Sequence, residues 1–384
     1  MKIGMVVTGG VDRSGRERVV PALLWLIEAL ARRHELHVFV LDYYPEPCSY
    51  DLLGATVHDL GRVRGVRGSR RFRIARRLSV ELAAHGPFDV LHAYWGVPAG
   101  AVTARLAGRI GVPVVVTFDS GEFVRCDDIA YGLQRRWIDR LAVRAAIRAA
   151  STLTVPTQFM RRLAERHGAD PIVIPIGVDV SRFPKVDRSD GPPWRLIRVA
   201  SLNRVKDYPT LLRALAHLVA RVPDVHLDIV GEDILGGAIQ SMADGLGLRA
   251  YVTFHGGQPT ERVSMLYARA HLNLVSSRHE SANVTVLEAA STGLPTVGTA
   301  VGYVAELEPD GAVAVPVQEP VALAAAIERA LHDRERRERL GAAARAWTIE
   351  HDVDWTARQF ERLYTGLVSE RPRQAPRSDS PQSA

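Results

Sequence analysis

Two glutamates stand eight positions apart in SRHESANVTVLEAASTGLPTVGT, residues 277–299. LNLVSSRHE runs off an expected strand. A helix is expected over NVTVLEAAST, with Ser281 or Asn283 as N-cap, Gly293 as its stop and Pro295 barring continuation. The bare N–H groups at such a helix start attract an anion such as a pyrophosphate. Glu288, one to two turns in, can reach past the phosphates to a ribose diol. Glu280, just outside the helix, meets whatever is bonded to the far phosphate. The spacing suits a nucleoside diphosphate ligand laid along the helix start. The plainer alternative also stands: a loop carboxylate at Glu280 and an exposed helix residue at Glu288.

The elements around this pair read as two α/β units. The chain has 384 residues, 47% of them hydrophobic and 24% charged, enough for two domains with ordinary soluble cores. In the first half KIGMVVTG, ELHVFVLD, FDVLHAYWG, VPVVVTFDS, STLTVPT and PIVIPIG read as buried strands, with helical periodicity over Arg16–Arg32 and AGAVTARLAGRIG. The stretch 179–195, rich in Pro, Asp and Gly, breaks the alternation. LIRVAS, VHLDIVG, YVTFHG, LNLVSS, PTVGT and AVAVP then restart it, with helices between them. The expected fold class is α/β, with two Rossmann-like, doubly wound parallel-sheet domains facing a central cleft. Expected boundaries are 1–180, a linker at 181–195, 196–350, a helix at 351–368 packing back on the first domain, and a disordered tail at 369–384.

Composition narrows the partners. Two cysteines make no disulfide framework, and no stretch of 18 apolar residues spans a membrane, so a cytoplasmic protein is expected. Residues 1–185 carry 27 basic and 18 acidic side chains, against 22 and 25 in the remainder. The stretch 61–78 holds eight arginines and no acid. It reads either as a solvated face or as a landing surface for an anionic partner, such as membrane phospholipid or a phosphate-bearing acceptor, which keeps peripheral attachment to the inner face open. Nucleic acid is not expected, because no stacking aromatics interleave the arginines.

SRHESANVTVLEAASTGLPTVGTAVGYVAEL resembles the signature of the retaining glycosyltransferases of family 4, which share the GT-B fold. IPIGVDVSRFP (174–184), LDIVGEDILGGAIQSMADGLGLRAYVTFHG (227–256) and RSGRERVVPALLWLIEALARRHELHVFVL (13–41) resemble further segments of that family, so the resemblance runs to about residue 368. It implies that Glu288 binds the donor ribose and Glu280 the donor sugar, with Ser281, Ala282, Asn283 and Val284 around the pyrophosphate and Gly231 on the donor side. The first domain would bind the acceptor. Lys206 falls on the family's catalytic Lys, whereas Ser201 occupies the place of its Arg, and Arg204 is expected to supply that guanidinium. Ser14 and Gly15 sit at the family's Gly-Gly, where Ser14 can cap the first helix. Asp119 replaces the usual His near the reacting centre, and His92 and Trp95 are expected to line the acceptor pocket. Asn283 and Tyr303 stand where glycines are common and are expected to narrow the pocket.

The reaction this implies is retaining transfer of a hexosyl group from a nucleotide diphosphate sugar to an acceptor hydroxyl, free or lipid-linked. No metal or other cofactor is expected. The sequence shows no Asp-x-Asp in a cleft loop and no His, Cys or Asp cluster at metal-ligand spacing. Three rival readings stand beside this one. A nicotinamide dehydrogenase with Asp42 as ribose acid fits poorly, because TGGVDRSGR lacks Gly-x-Gly-x-x-Gly. A catalytically silent GT-B protein and a two-domain epimerase are the others.

Overall fold

A computed structural model describes residues 1–63 and 67–370. The first lobe carries strands β1 (Lys2–Val7), β2 (Glu35–Val40), β3 (Cys48–Leu52), β4 (Ala55–Asp59), β5 (Val90–Tyr94), β6 (Val114–Thr117), β7 (Thr152–Val155) and β8 (Ile172–Val173). They lie in the order β3-β4-β2-β1-β5-β6-β7-β8, parallel except for the β3–β4 hairpin. That hairpin escapes the sequence reading because its turn, Leu53-Gly54, lacks the Asn-Gly signal. Both turn residues still take the positive φ of a tight hairpin, 52° and 83°.

Among the described residues, helices α1 (Pro21–Ala31), α2 (Arg67–His85), α3 (Ala101–Ile110), α4 (Trp137–Ala149) and α5 (Gln158–Glu165) cover this sheet. Helix α1 starts five residues later than its periodicity suggests, because Pro21 sits at the first helical turn. Ser14 therefore does not cap that helix. Its hydroxyl instead accepts the N–H groups of Arg16 and Glu17 and caps a turn.

The second sheet contains β9 (Trp194–Val199), β10 (Val225–Val230), β11 (Val252–Phe254), β12 (Leu272–Val275), β13 (Thr296–Thr299) and β14 (Ala312–Val315), in the order β11-β10-β9-β12-β13-β14 and parallel throughout. Helices α6 (Tyr208–Val219), α7 (Ala238–Gly245), α8 (Thr260–Arg269), α9 (Val284–Ser291), α10 (Gly302–Leu307), α11 (Pro320–His332) and α12 (Arg334–Glu350) belong to this lobe. The fold is α/β with two facing, doubly wound lobes, the GT-B arrangement. Short, fully buried apolar strands alternating with amphipathic helices force it.

The last helix, α13 (Val353–Ser369), crosses back to the first lobe. Arg32 and Arg33 of the α1 end pair with its Asp354 and Glu361. The joining segment packs tightly under it. A Cβ on Gly177 would lie 2.2 Å from the Asp352 backbone, and Thr356 Oγ1 bonds the Gly177 N–H and the Pro175 carbonyl. Ile174, Ile176, Val178 and Phe183 of the same segment join the apolar cores of the two lobes.

The arginine-rich stretch is partly a brace. Arg70 pairs with Asp42, Arg71 with Asp139, and Arg77 donates to the carbonyls of Leu60 and Gly61. Residues 64–66 of it, and 371–384 of the expected tail, lie outside the described residues. Among the described residues no helix is long and apolar enough to cross a membrane.

Candidate active site

The C-terminal ends of β6 and β12 bring the two lobes together. Ser281 Oγ donates to Asp119 Oδ1 at 2.6 Å, and Thr157 Oγ1 donates to the Ser281 carbonyl at 2.8 Å. His279 Nε2 lies 3.2 Å from the Ser120 carbonyl oxygen, and Arg278 pairs with Asp128 at 2.8 Å. The chain is thus folded with its lobes in contact along the loop that carries Glu280.

Glu280 is 8% exposed and heavily held. Lys206 Nζ lies 2.7 Å from each of its carboxylate oxygens, and Ser277 Oγ donates to Oε1 at 2.6 Å. Burial alone would raise its pKa, but Lys206, Arg198 and these bonds outweigh it and hold the carboxyl below its usual range. Arg198 explains much of this. It is fully buried on β9, donates to Ser277 Oγ at 2.8 Å and to the Leu274 carbonyl at 3.2 Å, and sits 3.8 Å from Glu280. Ser277 therefore relays between guanidinium and carboxylate.

The arginine beside Glu280 is Arg198, which the sequence reading did not single out, and not Arg204. That residue lies in the short turn Arg204–Lys206, which Asn203 caps through the N–H groups of Val205 and Lys206, and its side chain is exposed. The guanidinium near Glu280 comes from three residues before Ser201, not three after. The sequence carried a signal for it: an Arg inside the otherwise apolar run LIRVAS, where a buried charge needs a partner.

Helix α9 begins where expected. Its N-cap is Asn283, at φ 65°, with no side-chain cap on the helix N–H groups. Asn tolerates this left-handed conformation better than other non-glycine residues, which accounts for Asn at a position usually held by Gly. Asn283 Nδ2 is buried and has no hydrogen-bond partner among the described residues. Ala282 is buried beside it and accepts the Tyr303 N–H through its carbonyl at 2.8 Å. Val284 opens the helix.

Glu288 lies further along the same helix, 8% exposed, 3.2 Å from the Tyr267 hydroxyl. Burial pushes its carboxyl up to about 7 despite that hydroxyl. The two glutamates of one loop-and-helix unit are thus driven in opposite directions, one kept ionised and the other poised near neutrality.

Gly231 ends β10 at φ 153°, and a Cβ there would lie 2.0 Å from the Ala200 carbonyl oxygen. Only glycine fits this approach of the β10 end to the β9 end.

On the first lobe Asp119 accepts from Tyr94 Oη at 3.0 Å as well as from Ser281. Burial, reinforced by the nearby Glu280 charge, pushes it up to about 6 against those bonds and Lys206. Trp95 lines a cavity of about 710 Å³ with Ser120, Glu122, Tyr131 and Arg135. Glu122 was not anticipated. It is buried, accepts the N–H groups of Gly96 at 2.9 Å and Ser120 at 2.8 Å, and burial pushes it up to about 7. Ser14 and Gly15 line a second cavity, about 450 Å³, whose walls include Trp25, Pro259 and Glu261 from both lobes.

Two expectations are overturned. His92 does not line an acceptor pocket. It is fully buried, with Nδ1 2.6 Å from Tyr364 Oη and Nε2 2.7 Å from Thr117 Oγ1, and burial holds it down at about 3. It anchors α13. Tyr303 does not narrow a pocket either. Fully buried, its hydroxyl accepts the Ile176 N–H at 2.7 Å and donates to the Ile176 carbonyl at 3.1 Å, pinning α10 to the joining segment. Asp42, the acid of the dehydrogenase rival, is occupied by Arg70 and the Val63 N–H.

Comparison with known proteins agrees with this geometry. Residues 179–347 match the family model of glycosyl transferases group 1, and residues 19–177 match the glycosyl transferase 4-like domain. The phosphatidyl-myo-inositol mannosyltransferase of Mycobacterium tuberculosis is 30% identical over 381 residues, 95% of this chain and 96% of the relative. The chain belongs to the glycosyl transferases group 1 family.

The D-inositol 3-phosphate glycosyltransferase of Nocardia farcinica is 29% identical over 311 residues, covering 74% of this transferase and 68% of the relative. Among solved structures, sucrose-phosphate synthase from Thermosynechococcus elongatus matches at a TM-score of 0.82 and 21% identity, covering 96% of this chain and 100% of the other. The Anabaena protein HepE in complex with UDP matches at 0.71 and 16% identity, covering 95% and 100%. These two share the fold.

Proposed function

We propose that this glycosyltransferase moves a hexosyl group from a nucleotide diphosphate sugar to an acceptor hydroxyl with retention at the anomeric carbon, and that it does so without a divalent cation. The observation that carries the reading is the unit of Lys206, Glu280 and the uncapped α9 tip, set against Asp119 of the other lobe. A diphosphate at that tip meets free helix N–H groups and the unpartnered Asn283 Nδ2. Lys206 supplies the positive charge for the departing diphosphate, which is where other transferases use a metal ion. Glu288 would take the ribose diol, and Glu280 the hydroxyls of the sugar.

The acceptor side falls to the first-lobe cavity beside Trp95 and Glu122. The relatives named for D-inositol 3-phosphate and for phosphatidyl-myo-inositol favour a polyol hydroxyl as the attacking group. The arginine-bearing face of α2 would then meet an anionic membrane. Closure of the lobes, as in the Asp119–Ser281 bond, excludes water from the sugar.

The test is acceptor-dependent release of nucleoside diphosphate, with the product's anomeric configuration read by NMR. Retention with full activity in a chelator supports the reading. Inversion, or activity that requires added divalent metal, overturns it. Tight donor binding with no turnover on any acceptor would favour the silent alternative that Ser201 motivates.

A further inference from the structure

Outside the cleft, three histidines from three distant segments meet on the sheet face covered by the end of α2. His37 on β2, His58 on β4 and His85, the last residue of α2, bring one ligand atom each to within 4.8 Å of one another. No local spacing announces them, which is why the sequence shows no metal cluster. The geometry points to a binding site for one divalent first-row transition ion of the zinc class.

The argument rests on which ring nitrogens are free. His37 Nε2 lies 3.1 Å from Glu35 Oε1, so the carboxylate holds its proton there and leaves Nδ1 with a lone pair. His85 Nε2 lies 3.4 Å from Glu81 Oε2, which frees its Nδ1 in the same way. With the His37 proton on Nε2, His58 Nε2–H donates to His37 Nδ1 in the empty site, and His58 Nδ1 lies 3.0 Å from Ser49 Oγ. A hydroxyl serves either tautomer, so moving the His58 proton to Nδ1, against Ser49, frees Nε2 for an ion. Each imidazole then has one nitrogen tied to an outer oxygen and one facing the shared space, the pattern that orients metal-bound histidines.

His37 Nδ1 and His58 Nε2 already stand 2.9 Å apart. Two nitrogens on a tetrahedral zinc ion, at about 2.0–2.1 Å each, are roughly 3.3 Å apart, so this pair opens by only about 0.4 Å. His85, partly exposed at its helix end, stacks on His58 with ring centroids 4.0 Å apart, and its side chain must rotate out of that stack to bring Nδ1 to the ion. Phe39 and Phe88 wall the cluster. A cation there also sits at the negative end of the α2 dipole. Three protein ligands leave a fourth position for water, and the ion would clamp the end of α2 to the β2–β4 edge.

The experiment uses tag-free full-length protein, stripped with chelator and dialysed against micromolar Zn²⁺, with metal content measured by mass spectrometry. Co²⁺ in place of Zn²⁺ reports geometry through its visible absorption. The parent is expected to retain one equivalent, to show a tetrahedral Co²⁺ band and to gain thermal stability with Zn²⁺. His58→Gln and His85→Ala should retain none, while His332→Ala, an exposed histidine of α11, should match the parent. His85→Ala keeps the test decisive if His58→Gln fails to fold. A parent that retains no ion, or a His85→Ala variant that retains as much as the parent, leaves only a packed stack of rings and overturns the proposal.

Discussion

Replacing Arg198 by methionine should damage this transferase more than replacing any exposed arginine. The guanidinium is fully buried and lies 3.8 Å from Glu280. At that separation and an effective dielectric of about 20, the attraction is about 4 kcal/mol. Removing one partner of a buried pair typically costs about 3–5 kcal/mol, since the other charge stays buried. At about 2–4 °C per kcal/mol, the thermal midpoint should fall by roughly 6–20 °C. Glu280 keeps Lys206 but loses its second cation and the Ser277 relay, so its pKa should rise.

A carboxyl held low in the fold contributes stability above its unfolded value near 4.3, and loses it as pH falls through the folded value. The stability gap between parent and Arg198→Met should therefore narrow on acidification, and the acid limb of the rate profile should move to higher pH. The assays are thermal melts and nucleoside diphosphate release across pH, with Arg204→Ala alongside, expected within about 0.5 kcal/mol of the parent. Equal melts and profiles for Arg198→Met and parent, or a larger loss in Arg204→Ala, would refute the reasoning.

Three further outcomes follow from single contacts. Glu288 titrates near 7 in the fold and near 4 unfolded, so its ionisation weakens the fold as pH rises between those values. Glu288→Gln should therefore melt closer to, or above, the parent at pH 8 than at pH 5, and a constant difference would contradict this. Tyr303→Phe removes the hydroxyl that serves both polar groups of Ile176 and should cost about 1–3 kcal/mol by denaturant unfolding, with KM for the donor little changed. A large KM shift with unaltered stability would return Tyr303 to the pocket. Gly231→Ala forces a Cβ against the Ala200 carbonyl and should cost more than about 2 kcal/mol or prevent soluble expression, while a stable variant would show that the β10 end can move.

Apart from the β3–β4 hairpin, the sheet strands and the α9 unit were legible because each is announced locally: a buried apolar run, or a helix start followed by Gly293 and Pro295. What escaped depends on what packs on top. His92 ends an ordinary strand, and nothing near it says that Tyr364, some 270 residues later, will cover that spot. Tyr303 looked like a bulky residue in a glycine position, yet its hydroxyl reaches a joining segment that sequence spacing cannot place. Arg204 stands close to Lys206 along the chain, but a capped turn leaves it exposed, whereas β9 carries Arg198 to within 3.8 Å of Glu280. Glu122 carries no local signal either, since the Gly96 and Ser120 N–H groups that it binds are brought to it by the fold.

The account rests on a nucleoside diphosphate seated at the α9 tip, and calorimetric titration of UDP, GDP and ADP against the parent, Lys206→Met, Glu288→Ala and Arg204→Ala measures it directly. One of the three nucleotides should bind the parent and Arg204→Ala at one per chain, with at least tenfold weaker binding to Lys206→Met and Glu288→Ala. Binding that survives in both of those variants, or no binding of any of the three to the parent, would contradict it.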